Sequence, residues 1–315
     1  LAQGDVSSLR PAVNATGVIL HTGLGRAPLA LEALEAVQVA AERYCNLELN
    51  LETGDRGSRG THVEDLLVEL TGAEAVAVAN NNAGAVMLML NSLARGREVI
   101  VSRGQLVEIG GSFRIPDIIE ASGARIREVG TTNRTHRRDY EGAINDDTGL
   151  ILAVHPSNYE VRGFTAEVPL EQLAEVAAAA QLPLAYDLGA GALVDLRQWG
   201  LPHEEVVAET LGRGAQVVSF SADKILGGPQ AGIIAGRRDL VDRMAKNAMM
   251  RALRCDKLIL AALSATLRLF RRDAEALRQA HPVLRMLTEP VERVESRASA
   301  LMQALSAPVR NILGA

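Results

Sequence analysis

The sequence predicts an α/β fold: a mainly parallel, seven-stranded sheet with helices on both faces, followed by a smaller, mostly helical carboxyl-terminal part. Three observations predict it. Seven short β-rich runs recur between residues 75 and 235, helical periodicity fills most of the gaps, and from about Arg237 onward Ala/Leu/Arg helical patterns replace the strands. Strand and helix alternating at this spacing call for right-handed crossovers, which set parallel strands side by side. Helices on both faces bury a sheet completely, and these runs, 125–129 excepted, are accordingly mainly apolar instead of alternating with polar residues.

Residues 75–79 form the first strand, and Asn80-Asn-Asn82 caps a helical stretch at 83–94 that leads to the second strand, 98–102. Strands three and four are 125–129 and 150–154. A helical stretch at 170–180 precedes the fifth strand, 182–186, and another at 203–211 precedes the sixth, 216–220. Residues 232–235 close the set. Beyond them the clearest helical pattern is 258–271, with breaks at His281-Pro282 and Glu289-Pro290. The expected division is a large α/β domain at 1–236 and the start of a smaller domain at 237–315.

Composition narrows the function classes. The chain has 315 residues, 48% hydrophobic and 23% charged, with a net charge of −5, which is ordinary for a globular protein and excludes collagen, coiled-coil and disordered readings. The acidic balance argues against nonspecific nucleic-acid binding over the whole surface. No apolar run reaches the ~18 residues of a membrane span, and Cys45 and Cys255 form neither a CxxC pair nor a disulfide framework. A cytoplasmic protein is expected, with both cysteines as small packed residues. His21, His62 and His136 match no metal-ligand spacing, so no metal is expected.

Only three lysines occur, Lys224, Lys246 and Lys257. Lys224 lies just beyond strand 216–220, and Asp187 stands at the end of the neighbouring strand 182–186. A pyridoxal phosphate enzyme needs this combination, an amine for the Schiff base and a carboxylate that keeps the pyridine nitrogen protonated. The same pair also reads as a salt bridge at the rim of a Rossmann-like sheet. Cofactor phosphate binding needs backbone N–H donors at a helix start, which Asn81, Asn82 and Ala83 offer, and Ser221 adds a hydroxyl. Asn158 is placed to meet the ring's phenolic oxygen, or belongs to a plain turn. Gln105 and Glu108 are candidates to cover the ring face.

Arginines gather at Arg26, at Asp55-Arg-Gly-Ser-Arg59 and at Arg251-Ala-Leu-Arg254, where a spacing of three puts Arg251 and Arg254 on one helical face. Guanidinium forks suit phosphate-like anions. Solvated surface ion pairs are the alternative.

These residues resemble the bacterial selenocysteine synthase family, the L-seryl-tRNA(Sec) selenium transferases. The resemblance spans about residues 12–270 and is carried by Asn14-Ala-Thr-Gly-Val-Ile-Leu-His-Thr22, Asp55-Arg-Gly-Ser-Arg59, Asn80-Asn-Asn82, Glu108-Ile-Gly-Gly-Ser-Phe-Arg-Ile-Pro116, Gly130-Thr-Thr-Asn-Arg-Thr-His136, Ser221-Ala-Asp-Lys-Ile-Leu-Gly-Gly-Pro-Gln-Ala-Gly232 and Arg251-Ala-Leu-Arg-Cys-Asp-Lys257. It implies a fold-type I pyridoxal 5′-phosphate enzyme, with Lys224 as the Schiff-base lysine, Asp187 at the pyridine nitrogen, and Arg26, Arg59, Arg251 and Arg254 lining the pocket for substrate and selenium donor. The implied reaction is a β-replacement that converts seryl-tRNA(Sec) to selenocysteinyl-tRNA(Sec) with selenophosphate through a dehydroalanyl-tRNA intermediate. The implied assembly is a homo-oligomer, at least a dimer and, in the full-length family enzyme, a ring of dimers. The chain departs from the family at Gly23, where members usually carry Asn, and its core motifs begin at Asn14, where members carry a tRNA-reading domain ahead of them. A fragment, or a shorter relative acting as a lyase or transferase on a free small amino acid or amino sugar, is the alternative.

Overall fold

The computed structural model describes residues 7–109, 113–157 and 159–305. Its strands are β1 (Ala75–Ala79), β2 (Glu98–Ser102), β3 (Glu108–Ile109), β4 (Phe113–Arg114), β5 (Arg125–Val129), β6 (Thr148–Val154), β7 (Leu184–Gly189), β8 (Val217–Ser221) and β9 (Gly232–Gly236). Seven of these form one sheet in the order β1-β9-β8-β7-β6-β2-β5, while β3 and β4 make a separate small hairpin. The seven are the runs expected from the sequence.

Four of the pairings in the large sheet, β5 with β2, β2 with β6, β6 with β7 and β7 with β8, are parallel, and β9 runs antiparallel to both β8 and β1. The reversal follows from connection length. Residues 222–231, between β8 and β9, are too few for a helical crossover, so the chain has to turn back. With β9 reversed, β1 points the same way as β6, β7 and β8, and the carboxyl ends of all four strands share one edge of the sheet.

Two apolar cores cover the sheet. Along β6, Ile151 and Ala153 enter one core while Leu150, Leu152 and Val154 enter the other, so every residue of the strand is buried. Each such Leu, Ile or Val side chain contributes about 1.5–3 kcal/mol by leaving water. Helix Asn82–Ala94 packs with Arg238–Ala245 on one face; Leu170–Ala179 and Lys257–Leu269 contribute to the other. The helices after Gly236 thus share cores with the sheet. Because both faces are apolar, hydrophobic pattern alone does not fix the position of β9. Close contact does so: a Cβ at Gly232 would lie 2.2 Å from Asn81 O, so only glycine lets β9 pass beneath the turn that follows β1.

Most boundaries shift by one to four residues from the sequence reading, and three differences have a visible cause. β7 begins at Leu184 and not at residue 182, because Pro183 has no N–H for the ladder. The helix expected over 203–211 is Val207–Gly212, because Val206 is held extended by its bridge to Ala192. Arg254, expected on a helix with Arg251, follows helix Ala248–Leu253 in extended conformation, because it pairs with Ala79 at the end of β1. Among the described residues no helix is long and apolar enough to cross a membrane.

Candidate active site

Asp187 lies inside β7, and its carboxylate is buried, with 3% of the residue exposed. Asn82 Nδ2 donates to Asp187 Oδ1 at 2.9 Å and Ser219 Oγ donates to the same oxygen at 3.2 Å. Burial pushes the carboxyl upward from its ordinary pKa, and the two donors, the nearby Lys224 charge and the Gly189 backbone oppose that shift. Ser219 was missed in the sequence. The signal available was a hydroxyl in the otherwise apolar run Val217-Val-Ser-Phe220, and the register that sets Ser219 opposite Asp187 appears only in the sheet.

Lys224 stands three residues past β8, half-buried. A Cβ at Gly189 would be 3.8 Å from Lys224 Nζ, so the amine reaches over the carboxyl end of β7. Burial pushes the Lys224 amine down from its ordinary pKa, and Asp187 pulls it back. The loop around it is rigidly held. Gly227 N donates to Lys224 O and Gly228 N to Ala222 O, and Gly227 adopts φ +71°, a turn that favours glycine. Behind the loop sits His281, fully buried: its Nδ1 accepts from Leu284 N at 3.2 Å, so its Nε2–H donates to Leu226 O at 2.8 Å. The same imidazole packs edge-on against Phe270 at 5.5 Å. The sequence marked His281-Pro282 only as a break, and nothing local announces a side chain reaching back 55 positions to the lysine loop.

The turn after β1 has the predicted form. Asn81 is the N-cap of helix Asn82–Ala94, its Oδ1 accepting from Gly84 N at 2.8 Å. Asn80 Oδ1, Asn82 Oδ1 and His155 Nδ1 are buried without a hydrogen-bond partner among the described residues. His155 directly follows β6, and its N–H donates to Asp187 O. Unpaired polar atoms therefore lie at the ends of β1 and β6, and one of them, Asn82 Oδ1, is on the side chain that bonds Asp187. Ser221, buried, ends β8. Gln105 Oε1 accepts from Val154 N at 3.2 Å, tying it to the end of β6, whereas Glu108 pairs with exposed Arg114. Asn158 lies outside the described residues.

The four predicted arginines separate into two places. Arg26, at φ +61°, bonds through Nη1 to the buried Asp223 carboxylate at 2.8 Å, next to Lys224. Arg59, Arg251 and Arg254 line a cleft of about 500 Å³ together with Arg56 and Glu48. Glu48 was not singled out in the sequence, since an acid eight residues before Arg56 carries no local signal. Cys255 is buried, but Cys45 is exposed, in contrast to the packed role expected, because it follows the end of helix Leu31–Glu42 on the protein surface. A larger groove of about 880 Å³ between helices Leu31–Glu42 and Lys257–Leu269 contains none of the predicted site residues. No cluster of three or more His, Cys, Asp or Glu among the described residues is arranged to hold a metal ion.

The fold resembles known enzymes of the pyridoxal phosphate type I architecture. D-Glucosaminate-6-phosphate ammonia-lyase superposes with a TM-score of 0.65 at 24% identity, over 79% of this chain and 65% of that one. Aspartate aminotransferase from Thermus thermophilus superposes with a TM-score of 0.56 at 18% identity, over 85% and 68%. Sequence similarity is far higher to L-seryl-tRNA(Sec) selenium transferases: 56% identity to that of Desulfovibrio desulfuricans over 95% of this chain, and 55% to that of Carboxydothermus hydrogenoformans over 97%. The chain spans 63% and 66% of the length of these two relatives. The sequence profile described as L-seryl-tRNA selenium transferase matches residues 12–313, and the chain belongs to that family.

Proposed function

We propose that the protein binds pyridoxal 5′-phosphate at Lys224 and catalyses selenium transfer to the seryl group of seryl-tRNA(Sec), with selenophosphate as donor. The observation that carries the reading is the buried Asp187 carboxylate, braced by Asn82 and Ser219 beside the half-buried Lys224 amine, with unpaired Asn80, Asn82 and His155 atoms at the ends of β1 and β6. A salt bridge at a sheet rim would leave no reason for those orphaned atoms, since buried polar groups are normally paired. They fit a polar ligand seated over the strand ends.

In this reading Asp187 holds the protonated ring nitrogen of the cofactor, and the turn at Asn81 to Ala83 with Ser221 receives its phosphate at the start of helix Asn82–Ala94. Asn158 is proposed to meet the ring's phenolic oxygen. When bound, the cofactor supplies an electron sink for bond breaking at the α-carbon. Lys224 Nζ, whose pKa burial lowers, is more readily neutral and takes the α-proton of the seryl group. Loss of the β-hydroxyl opens that carbon to selenium. Arg254 and Arg251 hold the anionic donor and stabilise the departing phosphate, Arg59, braced on Glu48, lines the same cleft, and Arg26, fixed by Asp223, bounds the substrate side of Lys224.

Alongside this chemistry we place a homo-oligomer of at least two chains, supported by exposed Leu31, Leu34 and Val39 on helix Leu31–Glu42 and by exposed Tyr44. A cytoplasmic location and a division between a large domain (1–236) and a smaller carboxyl-terminal part (237–315) belong to the same proposal; cell fractionation and limited proteolysis test them.

The decisive experiment adds pyridoxal phosphate to the purified protein, reduces it with borohydride and maps the labelled peptide. Visible absorbance and label on Lys224 are expected; a colourless protein, or label elsewhere, sinks the reading. Incubation of the full-length protein with seryl-tRNA(Sec) and selenophosphate, followed by analysis of the aminoacyl group, tests the substrate. Turnover of a free amino acid or amino sugar in place of the tRNA would shift the assignment to a small-molecule lyase.

A further inference from the structure

The arginine cleft contains its own carboxylate. Glu48 Oε2 accepts from Arg56 Nη2 at 2.7 Å and Oε1 from Arg59 Nε at 2.6 Å, while Arg254 Nη1 stands 3.7 Å from Oε1. The backbone fixes this placement. Leu49 bridges to Arg56, and Gly57 N donates to Glu48 O at 3.1 Å, so the acid is tied to the loop that carries both arginines. Arg59 is anchored a second time, donating through Nη1 to Cys255 O at 2.9 Å. Arg251 makes no ion pair among the described residues, and Arg254 is only loosely engaged. Two guanidinium groups of the cleft are therefore locked onto Glu48, and two remain free to turn toward a ligand.

We propose that Glu48 is a tethered competitor in this cleft: it braces Arg56 and Arg59 while weakening the grip of Arg254 and Arg251 on a phosphate-type oxyanion, so that the phosphate left after transfer is released. The inference rests on the reading of the cleft as the seat of the phosphate-bearing donor. Its physical basis is charge. An oxyanion bound by Arg254 comes within a few ångströms of the Glu48 carboxylate, whose Arg59 and Arg56 hydrogen bonds keep it ionised below the usual carboxylate range. Like charges at that distance oppose each other, and the opposition is modest because the cleft is open to water. Glu64 and Asp242 line the same cleft, but neither pairs with an arginine among the described residues. The competitor role falls on Glu48 alone.

The test is calorimetric titration of inorganic phosphate into the purified protein and into Glu48→Gln, Glu64→Gln and Glu48→Gln/Arg254→Ala variants, each checked for an unchanged urea midpoint. Glutamine keeps an oxygen that can accept from Arg59 but carries no charge. Glu48→Gln is expected to bind phosphate about three- to fivefold more tightly; Glu64→Gln is expected to shift the affinity less, and the double variant to lose the gain. Equal binding by wild type and Glu48→Gln would overturn the competitor role and leave the anion cleft standing. Weaker binding by Glu48→Gln would reduce Glu48 to a brace and equally overturn it. Failure of every variant, wild type included, to bind phosphate would overturn the donor-cleft reading itself.

Discussion

The strand-end crevice and the arginine cleft both gather opposite charges, yet they are built in opposite ways. In the crevice one carboxylate is buried under two side-chain donors and faces one half-buried amine, so desolvation dominates and shifts both pKa values toward their neutral forms. In the cleft one half-buried carboxylate serves three arginines in contact with water, and hydrogen bonding prevails over desolvation. The first arrangement suits proton transfer, because each group sits nearer its point of ionisation. The second suits capture and release of an anion, because solvent screening keeps each pairing weak enough to exchange.

The contrast makes ordered predictions. Lys224→Ala should abolish borohydride-trappable cofactor and lower turnover by on the order of 10⁴-fold or more; retained label would break the crevice half of the comparison. Asp187→Asn preserves an oxygen for Asn82 and Ser219 but removes the charge, and should cost at least about a hundredfold in turnover, read together with the absorbance of the bound cofactor. Arg254→Ala should lower selenium transfer about ten- to a hundredfold with cofactor absorbance intact; loss of that absorbance would merge two sites that are held separate here.

His281 sharpens the same comparison from the stability side. His281→Leu leaves Leu226 O unpaired and removes the cap of helix Pro282–Leu287, a cost of about 2 kcal/mol or more by urea unfolding. Burial lowers the His281 pKa in the folded protein, so the unfolded chain takes up the proton first as pH falls. Stability from this residue is therefore complete above about pH 6.5 and declines below it, continuing down to the folded value. A urea midpoint that does not fall through that window in wild type, relative to His281→Leu, would exclude the buried neutral imidazole. At the far end of the scale, Arg162→Ala breaks only an exposed pair with Glu160 and should leave the urea midpoint where it was.

Much of this is legible in the amino-acid sequence alone. Six of the seven strands announce themselves as mainly apolar runs, the charged edge strand Arg125–Val129 being the exception, and Asp187, Lys224 and the Asn80 to Asn82 turn lie near or just beyond strand ends, where an α/β sheet places its ligands. Local sequence did not reveal partners distant along the chain. Ser219 beneath Asp187 depends on strand register, Asp223 on Arg26 depends on a contact across 197 positions, and His281 behind Gly227 joins a late helix to the lysine loop. Arg254 left its expected helix for the same reason, since a bridge to Ala79 outweighed helical spacing.

Periodicity and residue type determined the order of strands and helices along the chain, because burial on two faces writes itself into every residue of a central strand. The amine and the carboxylate were also legible there, because one lysine and one acid stand at adjacent strand ends. Only the packed chain decided which donors brace that acid, that Arg254 leaves its helix to pair with Ala79, and that one glutamate locks Arg56 and Arg59. Those choices depend on distances between segments far apart in sequence, and such distances are fixed only when the cores close.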